Sequence, residues 1–342
     1  MNETIEWTRS QKGFGAVTAQ DDGYHGRAQP EKHAEMTETW YWGFYEPESR
    51  LHGFIHIWTH PNLNLCTGGL FAHFGHKREH LAAELFDFRN FTSDAIFDEA
   101  GNIKLANGLT VTFEKPMQRM SIAYENAARG FRLNMIQSAV QPPIVRANNR
   151  HFEQTMRATG SVVYQGHEHS FDNLTIRDRS WGERRPEDGH LIPPYTWMNG
   201  AFSEDFSFCI SGHDDPVLAP DWAGLYQLPP ERVMSDAWIY DHGRMLRLTR
   251  MSKNTERAWD GLRPVRSTID CVTEDGRSFR FIGEVIASNP WHSWQNALCH
   301  CGLTRWISPQ FPGVVAWGET QEVQWNDYVA RRCRPVQDVG AI

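Results

Sequence analysis

The chain has few of the features that most directly mark a function. Its 342 residues contain six Cys, at positions 66, 209, 271, 299, 301 and 333. They lack both the paired spacing of a zinc ribbon and the density of a disulfide-stapled scaffold. No run of 18 apolar residues occurs, so no transmembrane segment is expected. Residues Met1 to Trp7 carry neither a basic stretch nor an apolar core, which gives the expectation of a cytoplasmic protein with reduced thiols. Lys and Arg number 34 against 42 Asp and Glu, a net charge of −8. A nucleic-acid surface needs clustered basic charge, so nucleic acid is not an expected partner. Helical patterns are scarce, with brief candidates around Arg78 to Asp87 and Gln321 to Arg332, and no short repeat period is present.

What the chain has in quantity is aromatic surface, 14 Trp and 19 Phe. These suit broad β-surfaces and pockets for flat or apolar ligands, and they also suit ordinary large cores. A content of 40% hydrophobic and 22% charged residues is that of a globular protein. The length exceeds the ~250 to 300 residues at which a single core stops growing, so two domains are expected. Period-two alternation dominates: His52, Phe54, His56, Trp58 and His60 share one strand face, while Gly53, Ile55, Ile57 and Thr59 share the other. Similar patterns cover 160–164, 206–211, 237–240, 244–248, 267–272, 279–285 and 318–325. Turn signals such as Asp22-Gly23, Asn107-Gly108 and Asp241-His242-Gly243 separate them. An all-β chain of closed or sandwiched antiparallel sheets follows. The Pro-rich stretch Gln141-Pro142-Pro143-Ile144 falls near mid-chain, but Pro pairs also occur at Pro193-Pro194 and Pro229-Pro230, so it does not fix the boundary; the expected domains are 1–158 and 159–342.

No metal is expected. His52, His56 and His60 lie in a row but spread over ~13 Å at ~3.3 Å per residue, too far for one ion, although one of them could join His73, His76 or His80. Cys299-His300-Cys301 reads as a buried strand.

The most informative segment is Ile176-Arg177-Asp178-Arg179-Ser180-Trp181-Gly182-Glu183-Arg184-Arg185-Pro186, which gathers six ionisable side chains around one Trp and one Gly. An Asp beside several Arg can be held ionised and oriented, and Trp offers a rigid apolar wall. Together with Gly160-Ser161-Val162-Val163-Tyr164-Gln165-Gly166, His169 and Asn173-Leu174, it resembles the signature of a bacterial two-domain lipocalin-like family. That family comprises the AttH-like proteins and carotenoid 1,2-hydratases (hydroxyneurosporene synthases), with Diels-Alderase-type cyclases as distant relatives. Asp178, Ser180, Trp181 and Gly182 match the usual Asp-His-Ser/Asn-Trp-Gly form, and Arg179 departs from it. Trp197-Met198-Asn199-Gly200 and Val315-Ala316-Trp317-Gly318-Glu319-Thr320 add to the likeness.

The resemblance implies two lipocalin-like barrels or half-barrels packed together, a site near their junction and no cofactor. It also implies acid catalysis on an alkene, with aromatic faces stabilising a cation. Arg179 in place of the family's His, and Phe206-Ser207-Phe208-Cys209-Ile210 where the family has an acid, argue against a carotenoid substrate. The expected catalytic residues are Asp178, Arg184, His169 and Asp205. Trp181, Arg179, Trp197, Asn199, His56 and Trp58 are expected to bind substrate. Asp178, Trp181 and Arg184 would act as one unit; the competing reading makes Asp178 a structural partner of arginine. The expected function is a cofactor-independent lyase, isomerase or cyclase of a hydrophobic terpenoid, steroid-like or polyketide molecule. The alternative is a non-catalytic carrier of such a ligand, since the fold does not decide function. A homodimer is left open.

Overall fold

Alternating side chains fold into two antiparallel sheets that meet face to face. The computed structural model describes residues 11–26, 36–183, 193–215, 217–219, 228–294 and 297–333. The first sheet holds β1 (Met36–Glu46), β2 (Leu51–His60), β3 (Leu65–Phe74), β4 (Leu85–Ser93), β5 (Ile103–Lys104), β6 (Thr110–Lys115), β7 (Arg119–Asn126), β8 (Phe131–Ala139), β9 (Ile144–Val145), β10 (His151–Tyr164) and β11 (His167–Glu183). Its strand order is β4-β3-β2-β1-β11-β10-β8-β7-β6-β5, with β9 beside β10. The second sheet is a closed barrel of β12 (Tyr195–Ser203), β13 (Phe206–His213), β14 (Met234–Asp241), β15 (Arg244–Arg257), β16 (Pro264–Thr273), β17 (Ser278–Trp294), β18 (Ala297–Ile307) and β19 (Ala316–Trp325). One α-helix stands among the described residues, α1 (Asn326–Cys333). The two-domain, lipocalin-like β architecture is thus present.

Two sequence expectations shift. The division at 158/159 falls inside β10, and β10 and β11 pair with each other and with β8 and β1. Residues 159–183, including the charged signature, therefore belong to the first sheet, and the chain changes sheet between Glu183 and Tyr195. The expected helix at Arg78 to Asp87 reduces to a single 3-10 turn, His80–Ala82, because Leu85 and Asp87 are buried while Phe86 and Phe88 are half-buried, the alternation of strand β4. The later helix begins at Asn326, since 321–325 complete the barrel on β19.

The barrel is filled. Phe208, Ile210, Ile269, Phe281 and Trp306 pack one end of its interior. The other end holds a buried charge network in which Lys253 bonds Asp214, Arg257 Nη2 reaches Asp214 Oδ2 at 2.8 Å, and Arg257 Nε reaches Glu322 Oε1 at 2.8 Å. Buried ions of this kind persist only when paired. The barrel's outer wall packs on the first sheet through Tyr41, Phe54, Phe71, Trp291, Cys299 and Cys301 on one side, and Ile144, Ile176, Cys209, Trp238 and Met245 on the other. Burying each large aromatic contributes roughly 1.5 to 3 kcal/mol.

At the centre of that contact Glu319 of β19 lies over Gly43 of β1. A Cβ added at Gly43 would stand 1.7 Å from Glu319 Oε1 and 3.2 Å from Thr175 Oγ1. Glu319 is fully buried and cannot swing away. Gly43→Ala should therefore lower stability by about 1 to 3 kcal/mol. Thermal unfolding measures this, and an unchanged melting temperature would contradict the packing described.

Candidate functional site

A strand sends successive side chains to opposite faces, and β11 does so with its charges. Arg177, Arg179 and Trp181 point away from the barrel. Arg177 donates to Asp22 Oδ1 at 2.6 Å and to Gln154 Oε1 at 3.1 Å, both buried. Arg179 is fully buried, bonded to Glu38 and, at 2.6 Å, to the carbonyl of Gly23, and its guanidinium lies 3.9 Å over the Trp40 ring. Trp181 stacks on His25 at 4.7 Å and packs against Val17, Met117, Val145 and Phe152. These groups clamp the segment that contains Asp22 and His25 onto the first sheet.

Asp178 and Ser180 face the barrel instead. Register places Asp178 between Tyr41 of β1 and Glu153 of β10, and Tyr41 opposite His56 of β2. His56, Tyr41, Asp178 and Glu153 thus form one row across four strands, about 4.8 Å apart from strand to strand. The neighbouring row is Trp58, Thr39, Ser180 and His151, with Thr39 and Ser180 hydroxyls 2.6 Å apart. Between these rows and the barrel lies a cleft of 340 Å³. Its ionisable groups include Tyr41, His56, Arg146, His151, Asp178 and Cys299; Tyr195, Trp197 and Trp291 supply aromatic walls. A larger hollow of 530 Å³ opens on the barrel at Arg250, Asp270 and Phe279, and it contains none of the residues expected from sequence.

Polar groups along the cleft are held from behind. His151 Nε2 lies 2.7 Å from Glu153 Oε1, and Trp238 Nε1 donates to Glu153 Oε2 at 3.1 Å. Burial pushes Glu153 up, but the charge and hydrogen bond of His151, then Arg146 and Trp238, pull it down to about 2. Asp236 pairs with Arg146 Nε at 2.5 Å. Burial and the charge of Glu153 hold Asp236 above the ordinary carboxylate range, with Arg146 opposing them. Tyr41 donates to Glu319, and burial followed by that carboxylate's charge pushes its phenol well above the usual value. The phenol therefore keeps its proton at neutral pH. An acid or base exchange with a ligand held against the aromatic walls is within reach of this set.

The expected site residues divide accordingly. Asp178, His56 and Trp197 line the cleft, and Trp58 flanks it with its ring 4.5 Å from His56 and 5.9 Å from Trp291. Asn199 sits behind the wall, where its Oδ1 accepts the Glu319 N–H at 3.2 Å. Arg179 and Trp181 are on the opposite face of β11 from Asp178, because residues an odd number apart on a strand diverge. They bind the chain's own Glu38, Trp40 and His25 rather than the cleft, so Asp178 and Trp181 do not form one unit. His169 lies nine residues along β11 from Asp178, roughly 30 Å away, with its ring against Phe74 at 4.8 Å. Asp205 occupies the exposed turn after β12, its N–H donating to Ser203 Oγ at 3.2 Å. Arg184 is outside the described residues. Sequence reasoning missed Tyr41, Arg146, His151 and Trp291. Tyr41 sits between Trp40 and Trp42, so period two separates it from both, but only pairing with Asp178 identifies its face.

His52, on the same face as His56, meets His73 with Nδ1 to Nε2 at 3.2 Å. Among the described residues no group of three His, Cys, Asp or Glu is arranged to hold a metal ion, and no helix is long and apolar enough to cross a membrane.

Comparisons with known proteins agree with the fold. The family model described as a domain of unknown function (DUF7064) matches residues 18–327. No curated protein sequence matches. The crystal structure of a Nitrosomonas europaea protein designated AttH superposes with a TM-score of 0.60 at 14% identity, covering 92% of this chain and 98% of that one. CghA gives 0.53 at 11% identity over 86% and 89%. Kievitone hydratase from Nectria haematococca gives 0.51 at 10% identity over 92% and 97%.

The depressed Glu153 sets an acid limit on stability. Its folded value lies below its unfolded one, so its contribution is complete above about pH 4.5 and is lost as pH falls toward about 2. Melting curves across that window should show a loss on the order of 2 to 3 kcal/mol, much of it absent in Glu153→Gln. A wild-type curve flat from pH 4.5 to 2 would contradict this.

Proposed function

We propose that this chain, which belongs to the family described as a domain of unknown function (DUF7064), is an acid–base catalyst acting without a cofactor on a small hydrophobic molecule bound between the two sheets. The reaction class is that of a lyase, isomerase or cyclase, and the substrate is of terpenoid, steroid-like or polyketide type. One observation carries this reading: a cleft walled by Trp197, Trp291 and Tyr195 has Tyr41, His56, His151 and Asp178 along its floor. Aromatic walls alone would suit a carrier, but a carrier has no need of four proton-transfer groups facing its ligand.

Size and chemistry narrow the ligand. A volume of 340 Å³ is at the lower end for small-molecule sites. It suits a molecule of one or a few rings, or the reacting end of a longer one. Aromatic faces favour an electron-poor or cationic centre, while Asp178 and the imidazoles provide a base or shuttle for the proton that leaves or arrives. A structure neighbour named as a hydratase shares the fold, which is compatible with hydration or dehydration here.

Asp178 tests the reading. Asp178→Asn should lower turnover of a hydrophobic substrate, sought by mass spectrometry of what the purified protein retains, by ~100-fold or more, since general acid–base groups contribute ~10² to 10⁴. The change leaves no arginine without its carboxylate, since Arg177 and Arg179 bind Asp22 and Glu38, so the melting temperature should not show the loss of several kcal/mol that a broken buried ion pair brings. Steady-state kinetics on that substrate, with calorimetry of both proteins, completes the test. Ligand binding with no turnover in either protein would favour the carrier, and a lowered melting temperature would favour a structural staple.

A further inference from the structure

Behind Tyr41 runs a chain of buried polar groups that the substrate cleft does not itself contain. Tyr41 donates its phenolic proton to Glu319 Oε2, and His52 Nε2 stands 3.8 Å from the same oxygen. His52 Nδ1 is 3.2 Å from His73 Nε2, and His73 Nδ1 is 3.1 Å from the carbonyl of Gly75. Glu319, His52 and His73 are all fully buried.

The carbonyl at the end of this chain fixes the tautomers. Only an N–H can face the Gly75 oxygen, so His73 Nδ1 carries the proton and its Nε2 accepts. Burial and then the neighbouring His52 hold His73 well below the ordinary imidazole range, which keeps it neutral. His52 Nδ1 must then donate, leaving His52 Nε2 turned toward Glu319. Neither His52 Nε2 nor Glu319 Oε1 has a hydrogen-bond partner among the described residues. The oxygen that faces His52 Nε2 is Glu319 Oε2, which also accepts from Tyr41, while Oε1 lies over Gly43; two acceptors thus stand 3.8 Å apart, a position that is satisfied only when one proton occupies it. A hydrogen-bond ladder built for packing alone would close this gap, because an unsatisfied buried polar atom costs ~1 to 3 kcal/mol. Here the gap lies one bond behind two cleft residues, Tyr41 and Gln321, whose Nε2 donates to Glu319 Oε2 at 3.4 Å; of the two, Tyr41 carries the exchangeable proton.

We infer that Tyr41 and Glu319 form a proton relay, with Tyr41 the catalytic residue that exchanges a proton with the ligand and the Glu319–His52 gap the store behind it. The inference rests on the proposed acid–base reading of the cleft and assigns its proton path. In the forward step the ligand's X–H bond breaks and its proton bonds to Tyr41 Oη. The phenolic O–H of Tyr41 breaks in concert and its proton passes to Glu319 Oε2. The electron pair left on the ligand goes to its own leaving group or conjugated acceptor. The reverse step returns the proton. Glu319 and His52 act through Tyr41 and are positioning residues.

The probe is 5-nitrobenzisoxazole, a small aromatic that fits the cleft. A base takes its C3 proton, the N–O bond breaks, and coloured 2-cyano-4-nitrophenolate is released, so proton removal is read directly. The wild-type protein should accelerate this elimination with saturation. Tyr41→Phe, which removes only the hydroxyl, and Glu319→Gln should each lower kcat ~100-fold while KM stays unchanged; a purely structural role would change KM or melting temperature instead. Full activity in Tyr41→Phe would overturn the relay and send the proton to Asp178 or His151. Probe binding, seen as quenching of tryptophan fluorescence, without acceleration would overturn the relay and leave the cleft as a binding site. Neither binding nor acceleration would overturn both the relay and the reading it rests on.

Discussion

The structure depends on the alternation of side chains along β11. A strand cannot send Arg177, Asp178 and Arg179 to the same side, so the densest charged run in the chain is divided between two environments. One face is dry and closed. There Arg177 with Asp22 and Arg179 with Glu38 make buried, hydrogen-bonded ion pairs. Breaking such a pair by removing one partner costs ~3 to 5 kcal/mol, because the other charge is left buried. The other face carries Asp178 and Ser180 to the boundary with the barrel. A rigid clamp on one side of a strand thus holds a potential reacting group on the other.

The barrel contributes a wall rather than a container. Its interior is occupied by aromatics at one end and by the Lys253, Asp214, Arg257 and Glu322 network at the other. The cleft that gathers ionisable groups lies at the seam where its outer surface meets the first sheet. That seam is held shut at Gly43, where Glu319 can approach only because no Cβ intervenes. On either side of this contact the aromatic clusters exclude water. Excluding water strengthens every electrostatic interaction among Tyr41, Glu319, His151 and Glu153.

Much of this was legible in the sequence. Period-two patterning announced strands, and the face shared by His52, Phe54, His56 and Trp58 is the face that meets the barrel. Asp178, His56 and Trp197 could be picked out because each combines an unusual residue type with a strand position. The partners were not legible. Tyr41 becomes a site residue only through register with His56 and Asp178, and Glu319 only through a contact 278 residues distant. Arg179 and Trp181 illustrate the opposite error: a motif read as one line of chemistry is two faces once it is a strand. The boundary at 158/159 failed to mark the change of sheet for a related reason, since the long β10–β11 hairpin carries no composition break.

The location of the ligand is the claim on which the rest stands, and one crystallographic measurement addresses it. Crystals soaked in 4-bromophenol and measured at the bromine absorption edge should give an anomalous peak between Trp197 and Trp291, with the phenol oxygen toward Tyr41 or Asp178. A bromine peak only in the hollow beside Arg250 and Phe279, or a cleft that stays empty at saturating probe, would contradict the account.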